Sequence, residues 1–282
     1  MKIVLIYNPK SGSALSSETL RGKCQAAGLT VESLLPLGGE LAKTLQPFIK
    51  KDSTIAAVGG DGTLSLVAGL LADTEAVFAP LPGGTLNHFT KDLGISQDID
   101  EALHQLVRSR IHNVDIASVN DRAFINNSSI GLYPSSLHVR SRFEDSIGKW
   151  PAAVIASMRT LVRFRTYDVT IGKETFHTPF IFVGNNDYSI DGVGGITRTH
   201  LNKGELTVFV AKTVSRIALL KIMLFALIGR AKELNEFDVY HAQSLVIKAR
   251  KNRLSVSRDG EVGRMISPLR YKIHPAALRI RF

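Results

Sequence analysis

Three glycine-rich segments of the chain combine small residues with hydroxyl, amide or carboxylate side chains. They read NPKSG at residues 8–12, GGDGT at residues 59–63 and PGGTLN at residues 82–87. Glycine lets the backbone come close to a bulky anion because it has no Cβ. Loops of this kind, where a strand hands over to a helix, are typical of phosphate-binding sites. The three segments therefore predict a site for a nucleotide.

The aspartate of the second segment needs a separate explanation. A carboxylate beside a phosphate repels it, and a bridging Mg²⁺ removes the conflict. Asp61 is therefore a candidate magnesium ligand, while Thr63 is expected to cap the following helix or to offer its hydroxyl to a phosphate oxygen. The alternative is a tight strand-to-helix turn in which Asp61 is only a helix cap.

All three segments are expected to hold one nucleoside triphosphate, since parallel strands bring such loops to one edge of a sheet. The predicted contacts are Asn8, Ser11 and Gly12, then Gly59, Gly60, Asp61, Gly62 and Thr63, and finally Gly84, Thr85 and Asn87. The chain contains neither GxxxxGK[ST] nor GxGxxG, which excludes a P-loop enzyme and argues against a dinucleotide fingerprint.

The elements that must position these residues change character along the chain. Over residues 1–116, short apolar runs alternate with longer helix-like stretches, which is typical of βαβ units and a mostly parallel sheet. From residue 117 onward strand-like segments dominate, with two helical stretches near residues 146–163 and 214–234. We therefore predict two domains: a nucleotide-binding α/β domain at 1–116 and a β-rich domain at 117–282, whose final strand can pack back on the first.

Charge separates the same two parts. Residues 1–116 contain 10 Lys+Arg and 12 Asp+Glu, whereas residues 117–282 contain 25 and 13, a basic surplus of 12. A basic domain suits nucleic acid or an anionic membrane surface, and a generally well-solvated surface is the plainer alternative. The longest apolar run, residues 217–228, is shorter than the roughly 20 residues that span a bilayer. The single cysteine, Cys24, cannot form an intramolecular disulfide, which favours a cytoplasmic location.

Several motifs, in their order and spacing, resemble the diacylglycerol kinase catalytic family, specifically its soluble bacterial lipid kinases, which are similar to sphingosine and ceramide kinases. The motifs are NPKSG, GGDGT, PGGTLNHF, FINNSSIG, IGKWPAAVIASMRTLVRFRTYDVTI and SRDGE. The resemblance implies an N-terminal domain related to NAD kinase and phosphofructokinase, a C-terminal β-sandwich that receives the lipid, and an active site in the cleft between them. It also implies transfer of the γ-phosphate of ATP, with Mg²⁺, to a lipid hydroxyl.

The resemblance also implies roles for single residues. Asp61 belongs to the phosphate and Mg²⁺ loop, with Asn8 and Thr85 as flanking nucleotide contacts and Asp115 at an acidic position near the metal. Glu261 in the RDGE motif matches the general base and is expected to face the groove that contains Asp61. By its own sequence Glu261 is only a hairpin residue, because the preceding Asp-Gly pair is a strong turn signal.

Three positions depart from the family pattern. His88 stands where the family has aspartate, Leu66 where it commonly has glutamate, and Asn202-Lys203 where an acidic pair holds a structural metal in some members. We therefore expect no structural metal at Lys203 and an altered substrate or a weakened kinase. The alternatives are an NAD kinase-like or sugar kinase with a soluble acceptor, and a lipid or nucleotide sensor without activity.

The second domain suggests how a lipid acceptor is reached. Its helical stretches carry basic residues at Arg159, Arg163, Arg165, Arg216, Lys221 and Arg230, and apolar residues for an acyl groove at Leu219, Ile222, Met223 and Phe225. A basic amphipathic helix can lie in a headgroup layer, although plain core packing is the alternative. The expected partner is a lipid at an anionic membrane surface, with peripheral association and no nucleic acid. The oligomeric state is left open, with a homodimer among the alternatives.

Overall fold

The computed structural model describes residues 1–9, 15–131, 166–191, 195–211, 237–249 and 252–282. These residues form two compact units. The N-terminal unit contains residues 1–116, 122–126 and 274–282, and the C-terminal unit contains residues 117–121 and 127–273. The two predicted helical stretches of the second domain, with their basic and apolar residues, lie outside the described residues.

Strands and helices alternate along the N-terminal unit, as the apolar runs predict. The strands are β1 (Lys2–Tyr7), β2 (Thr30–Pro36), β3 (Thr54–Gly59), β4 (Val77–Pro82), β5 (Ile111–Val119), which continues into the C-terminal unit, and β6 (Arg122–Phe124). The helices are α1 (Ser17–Ala26), α2 (Leu41–Leu45), α3 (Asp61–Leu71), α4 (His88–Asp92) and α5 (Ile99–Arg108), with a short 3₁₀ helix at Gln46–Phe48.

Four of these strands pair in parallel in the order β2-β1-β3-β4. Leu5, Ala56 and Ala79, from three of them, are fully buried together with Leu20 of α1 and Leu103 of α5. Strands buried on both faces read as continuous apolar runs, which is why the sequence pattern is so clear here. Because β1, β3 and β4 run in one direction, the three glycine-rich segments begin at one edge of the sheet.

Side-chain caps determine where two of the longer helices begin. The hydroxyl of Ser16 accepts a hydrogen bond from the Thr19 amide at 3.1 Å at the start of α1. The Asp98 carboxylate accepts from the amides of Asp100 and Glu101 at 2.9 and 3.0 Å at the start of α5. Each such cap contributes about 1 kcal/mol to helix stability. Among the described residues, no helix combines the length and the apolar character needed to cross a membrane.

The C-terminal unit is built from strands. They are β7 (Asn127–Ile130), β8 (Tyr167–Ile171), β9 (Glu174–Thr178), β10 (Ile181–Asn185), β11 (Tyr188–Asp191), β12 (Gly195–Arg198), β13 (Leu206–Ala211), β14 (Phe237–Ala242), β15 (Ser244–Lys248), β16 (Arg253–Arg258), β17 (Glu261–Ile266) and β18 (Leu269–Arg281). Residues 274–281 of β18 belong to the N-terminal unit, where Ile280 pairs in parallel with Phe78 of β4.

Two sheets make up this β-sandwich. One has the antiparallel order β14-β13-β10-β7-β16-β17, and the other joins β9, β8, β15 and the first residues of β18. The hydroxyls of Ser128 and Tyr271, one from each sheet, lie 3.0 Å apart. Tyr271 is fully buried, and this burial raises the pKa of its hydroxyl. The predicted fold, an α/β domain followed by a β-sandwich, is confirmed.

Candidate active site

The first glycine-rich segment is described only in part. Asn8 directly follows β1 and is partly buried, while Ser11 and Gly12 lie outside the described residues. The second loop, defined as residues 59–63, connects β3 to α3. The third loop, defined as residues 83–88, connects β4 to α4. The second and third loops therefore carry the geometry that can be compared with the sequence prediction.

Glycines allow the second and third loops to pack backbone against backbone. A Cβ on Gly83 would lie 2.7 Å from the amide nitrogen of Gly59, and a Cβ on Gly84 would lie 2.5 Å from the Cα of Gly60. Real Cβ atoms essentially never come this close to another heavy atom, so any side chain here would push the loops apart. The glycines thus serve the contact between the two loops, a role that their sequence does not reveal.

Thr63 does not cap α3, so that expectation is wrong. The N-cap of α3 is Gly60, and no side chain makes a capping hydrogen bond there. Thr63 is the third residue of the helix, and its buried side chain occupies the space where a Cβ on Gly59 would lie, 2.5 Å from the Thr63 Cβ. Its contact with a phosphate stays a prediction.

Asp61 stands at the start of α3 but binds the start of α4. Its Oδ1 accepts hydrogen bonds from the Phe89 amide at 2.9 Å and from Nδ2 of Asn126 at 3.1 Å. Its Oδ2 accepts from the His88 amide at 3.1 Å. The first two amides of a helix have no partner within the helix, so Asp61 caps the neighbouring helix and not its own. This carboxylate links the second loop to the third.

Asn87 holds the turn of the third loop. Its side-chain Oδ1 accepts from the Gly84 amide and its Nδ2 donates to the Gly84 carbonyl, both at 2.9 Å. Its backbone has a positive φ of 51°, a conformation that asparagine adopts more readily than most residues. With only 7% of its surface exposed, Asn87 acts first as a structural residue. A nucleotide contact by its side chain stays a prediction.

Two of the three departures from the family pattern, His88 and Leu66, are exposed in or next to these loops. Thr85 and His88 are exposed in the third loop. Leu86 in the same loop is 60% exposed, and Leu66 of α3 is 48% exposed. An exposed leucine and an imidazole supply no carboxylate oxygen, and such oxygens are the ligands that Mg²⁺ prefers.

Asp115 supports the final strand of the N-terminal unit. It is 4% exposed in β5, and its Oδ1 accepts a hydrogen bond from the Ala276 amide at 2.7 Å. Ala276 has a positive φ of 52°, so the bond anchors an irregular point of β18. The predicted role of Asp115 near the metal stays a prediction.

The donor set around Asp61 fits Mg²⁺ in one specific way. A carboxylate offers about four acceptor positions, and three are occupied, which leaves one on Oδ2. Within the described part of the chain, no three His, Cys, Asp or Glu side chains cluster as a metal site. Mg²⁺ is commonly bound by one or two carboxylates together with waters and substrate phosphates. Asp61 therefore suits a Mg²⁺ that arrives with nucleotide phosphates.

Glu261 lies in the C-terminal unit, at the first position of β17. The preceding turn has the predicted character, with positive φ at Asp259 and Gly260. Glu261 itself is exposed, and its carboxylate has no hydrogen-bond or ion-pair partner among the described residues. The buried Asp259 carboxylate accepts from the Asn127 amide at 3.1 Å and so ties the hairpin to β7, a role that the turn signal did not predict. Glu261 as general base stays a prediction.

Lys203 forms an ion pair with a carboxylate of the C-terminal unit. Its Nζ lies 2.8 Å from Oδ2 of Asp187, which also accepts from the Thr199 hydroxyl at 3.3 Å and lies 3.4 Å from Nδ1 of His200. The hydrogen bond from Lys203 lowers the pKa of Asp187. The ammonium group of Lys203 is thus bound to the Asp187 carboxylate, which a metal ion at this position would need as a ligand.

A separate cavity of about 550 Å³ lies in the N-terminal unit. It is lined by α5, the end of β4, the connection between α4 and α5, and the last residues of β18. Nη1 of Arg281 donates to the Ser109 carbonyl at 3.1 Å in its wall. None of the predicted site residues that the structure describes lines this cavity, so it is not the predicted nucleotide site.

Comparisons with known proteins agree with this architecture. The family model of the diacylglycerol kinase catalytic domain matches residues 2–119, and that of the YegS C-terminal NAD kinase beta sandwich-like domain matches residues 137–282. A "Diacylglycerol kinase" of Staphylococcus saprophyticus is 25% identical over 271 residues, covering 92% of this chain and 88% of the relative. A "Putative lipid kinase" of Staphylococcus carnosus is 29% identical over 191 residues, covering 62% of this chain and 61% of the relative.

Solved structures show the same fold. The crystal structure of a "putative diacylglycerol kinase" from Bacillus anthracis str. Sterne superposes with a TM-score of 0.75 at 25% identity, covering 99% of this chain and 94% of that one. The chain therefore belongs to the diacylglycerol-kinase-like family of lipid kinases, as its motifs predicted.

Proposed function

We propose that the chain transfers the γ-phosphate of ATP, with Mg²⁺ as cofactor, to a hydroxyl group of a diacylglycerol-like lipid. The observation that supports this most strongly is the carboxylate of Asp61, which three hydrogen bonds hold between the second and third loops with one acceptor position free. Phosphoryl transfer depends mainly on positioning and on neutralising charge, so a fixed carboxylate at a phosphate-binding edge suits it.

In the proposed mechanism each residue has one task. Asp61 would hold Mg²⁺ through its Oδ2, and the bound metal would supply charge neutralisation for the nucleotide phosphates. The first amides of α3 have no partner within the helix and face the nucleotide at the positive end of the helix dipole. Glu261 takes the proton of the lipid hydroxyl. At the same time the hydroxyl oxygen of the lipid bonds to the γ-phosphorus, and the bond between the γ-phosphorus and the leaving ADP breaks.

A direct assay tests this proposal. The pure protein is incubated with [γ-³²P]ATP, Mg²⁺ and a panel of lipids in mixed micelles, alongside glycerol, sugars and NAD as soluble acceptors. We expect label in the lipid fraction only. Label in a soluble acceptor alone would support the NAD kinase-like or sugar kinase alternative and contradict ours.

One specific observation favours a second candidate, a lipid or nucleotide sensor with little or no activity. His88 and Leu66 are exposed where the family places carboxylates, so the metal has fewer protein ligands to draw on. Nucleotide binding measured by calorimetry, without transfer to any lipid in the panel, would support the sensor. Replacing both residues, as His88→Asp with Leu66→Glu, would then be expected to raise turnover.

We also propose that the protein meets its lipid at an anionic membrane surface. The basic surplus of 12 in residues 117–282 is the basis, since each basic group near such a surface contributes about 1 kcal/mol. The protein should sediment with vesicles that contain phosphatidylglycerol, and less so as added salt shortens the Debye length below about 10 Å. Equal binding to neutral vesicles, or preference for duplex DNA, would contradict this part.

A further inference from the structure

Asn126 is a buried residue of the N-terminal unit that is separated from the end of β6 by Ile125 and directly precedes β7. Only 3% of its surface is exposed, and its Nδ2 donates to Oδ1 of Asp61 at 3.1 Å. The segment before it packs closely on α3, because the Ser65 hydroxyl lies 3.5 Å from the Ala123 carbonyl and a Cβ on Gly69 would lie 2.9 Å from the Ala123 Cβ. The amide therefore belongs to a packed interface.

The donors to Asp61 come from two directions. The amides of His88 and Phe89 approach from α4, one to each oxygen. Asn126 adds a donor from the β6 side, on Oδ1 only. Its bond adds a third restraint on the carboxylate plane, fills the second acceptor position of Oδ1 and gives the buried Asn126 amide a hydrogen-bond acceptor.

We propose that Asn126 is a positioning residue for Asp61. By fixing the carboxylate plane and satisfying Oδ1, it leaves the single free acceptor position on Oδ2 available to the metal that accompanies the nucleotide phosphates. The metal part rests on the proposed function, whereas the orientation of the carboxylate does not. Groups that hold a ligating carboxylate in this way typically contribute about 10–100-fold to metal affinity or activity.

Metal–nucleotide binding gives a readout that does not need catalysis. Mn²⁺ serves as the probe, and its free concentration is followed by electron paramagnetic resonance during titration with protein and ATP. We expect Asn126→Leu, which keeps the branched shape of the side chain but removes the donor, to weaken Mn²⁺·ATP binding by about 10–100-fold and to leave metal-free ATP binding unchanged. In turnover, kcat should fall while KM for the lipid stays the same.

A second variant gives a pH signature that a purely structural role would not. Asn126→Asp is isosteric and can donate to Asp61 only when one proton is shared by the two carboxyl groups, since like charges at this distance repel. Its activity relative to the unchanged protein should therefore fall as pH rises, whereas the ratio for Asn126→Leu should stay flat. If Asn126→Leu does not fold, Asn126→Asp carries the test alone.

Ser65→Ala is the matched control, because Ser65 lies in the same interface between α3 and β6 and its hydroxyl donates to the Ala123 carbonyl and not to the Asp61 carboxylate. It should bind Mn²⁺·ATP like the unchanged protein. Folded Asn126→Leu with unchanged Mn²⁺·ATP affinity, or Asn126→Asp without pH dependence, would overturn the positioning role. Mn²⁺·ATP binding by the unchanged protein without lipid phosphorylation would overturn the proposed function instead.

Discussion

Two carboxylates with predicted roles in one reaction are held in opposite ways. Asp61 accepts three hydrogen bonds from donors on two other segments, whereas Glu261 is exposed at the start of β17 without a partner among the described residues. The first is fixed before any ligand arrives, and such preorganisation favours charge stabilisation. The second is free to turn toward a substrate. A change at Asp61 should therefore affect both stability and activity, and a change at Glu261 activity alone.

The largest expected effect is on turnover by Glu261→Gln. The amide keeps the shape of the side chain but cannot take a proton, so we expect turnover to fall by about 10²–10⁴-fold. The melting temperature should not change, because the exposed carboxylate has no partner in the described structure. Steady-state kinetics and thermal unfolding measure both quantities.

Glu174→Gln is the matched control for that experiment. Glu174 is also exposed and also begins the second strand of a hairpin, β9. It should keep full activity. Equal losses in the two variants would show that Glu261 acts through general surface charge and not as a base.

Asp61→Asn tests the fixed carboxylate. Turnover should fall by about 10²–10³-fold, as for the loss of one transition-state charge contact. Stability should fall as well, by about 1–3 kcal/mol, because the amide nitrogen of asparagine would face a backbone donor. Denaturant unfolding should detect this loss, in contrast to Glu261→Gln.

Asp98→Asn controls for the capping chemistry. Asp98 also accepts two helix amides, but asparagine caps a helix start about as well as aspartate does. Its unfolding midpoint should not change. If Asp61→Asn is equally stable, the bonds to α4 and Asn126 do not hold the loops together.

Gly84→Ala tests the contact that brings Asp61 to α4. The added Cβ would lie 2.5 Å from the Gly60 Cα, and relief of such overpacking typically costs about 1–3 kcal/mol. Gly22→Ala is the control, since no atom lies within 4 Å of its Cβ and alanine favours a helix interior by about 1 kcal/mol. Opposite shifts in melting temperature are expected, and a neutral Gly84→Ala would contradict the close packing of the loops.

The smallest expected effect concerns the ion pair of Asp187 and Lys203. This pair is partly exposed, and it lies between Asp61, which accepts three hydrogen bonds, and the exposed Glu261. The hydrogen bond from Lys203 lowers the pKa of Asp187, so its contribution to stability is present above the ordinary aspartate pKa of about 3.9 and is lost as pH falls through the folded-state value. Lys203→Met should lower the melting temperature at pH 7 by less than Gly84→Ala does. The difference should vanish in acid; a difference that persists there would mean that packing and not charge is involved.

The local patterns of the chain predicted the elements that carry the site. Continuous apolar runs marked β1, β3 and β4, because strands buried on both faces need apolar residues at every position. The Asp259-Gly260 pair marked the β16–β17 turn, because both residues adopt positive φ there. The motifs also identified the family, which the family models and the solved structures confirm.

What the tertiary structure alone decided is the set of bonds around these residues. Asp61 was expected to act on its own helix or on a metal, yet it caps α4, and its partners lie 27, 28 and 65 positions further along the chain. Asn126 belongs to the FINNSSIG motif, but no local pattern predicted its bond to Asp61, because the two residues are 65 positions apart. Hydrogen-bond partners that distant depend on where the packed sheet brings each loop, whereas helix and strand periods depend only on neighbours in sequence.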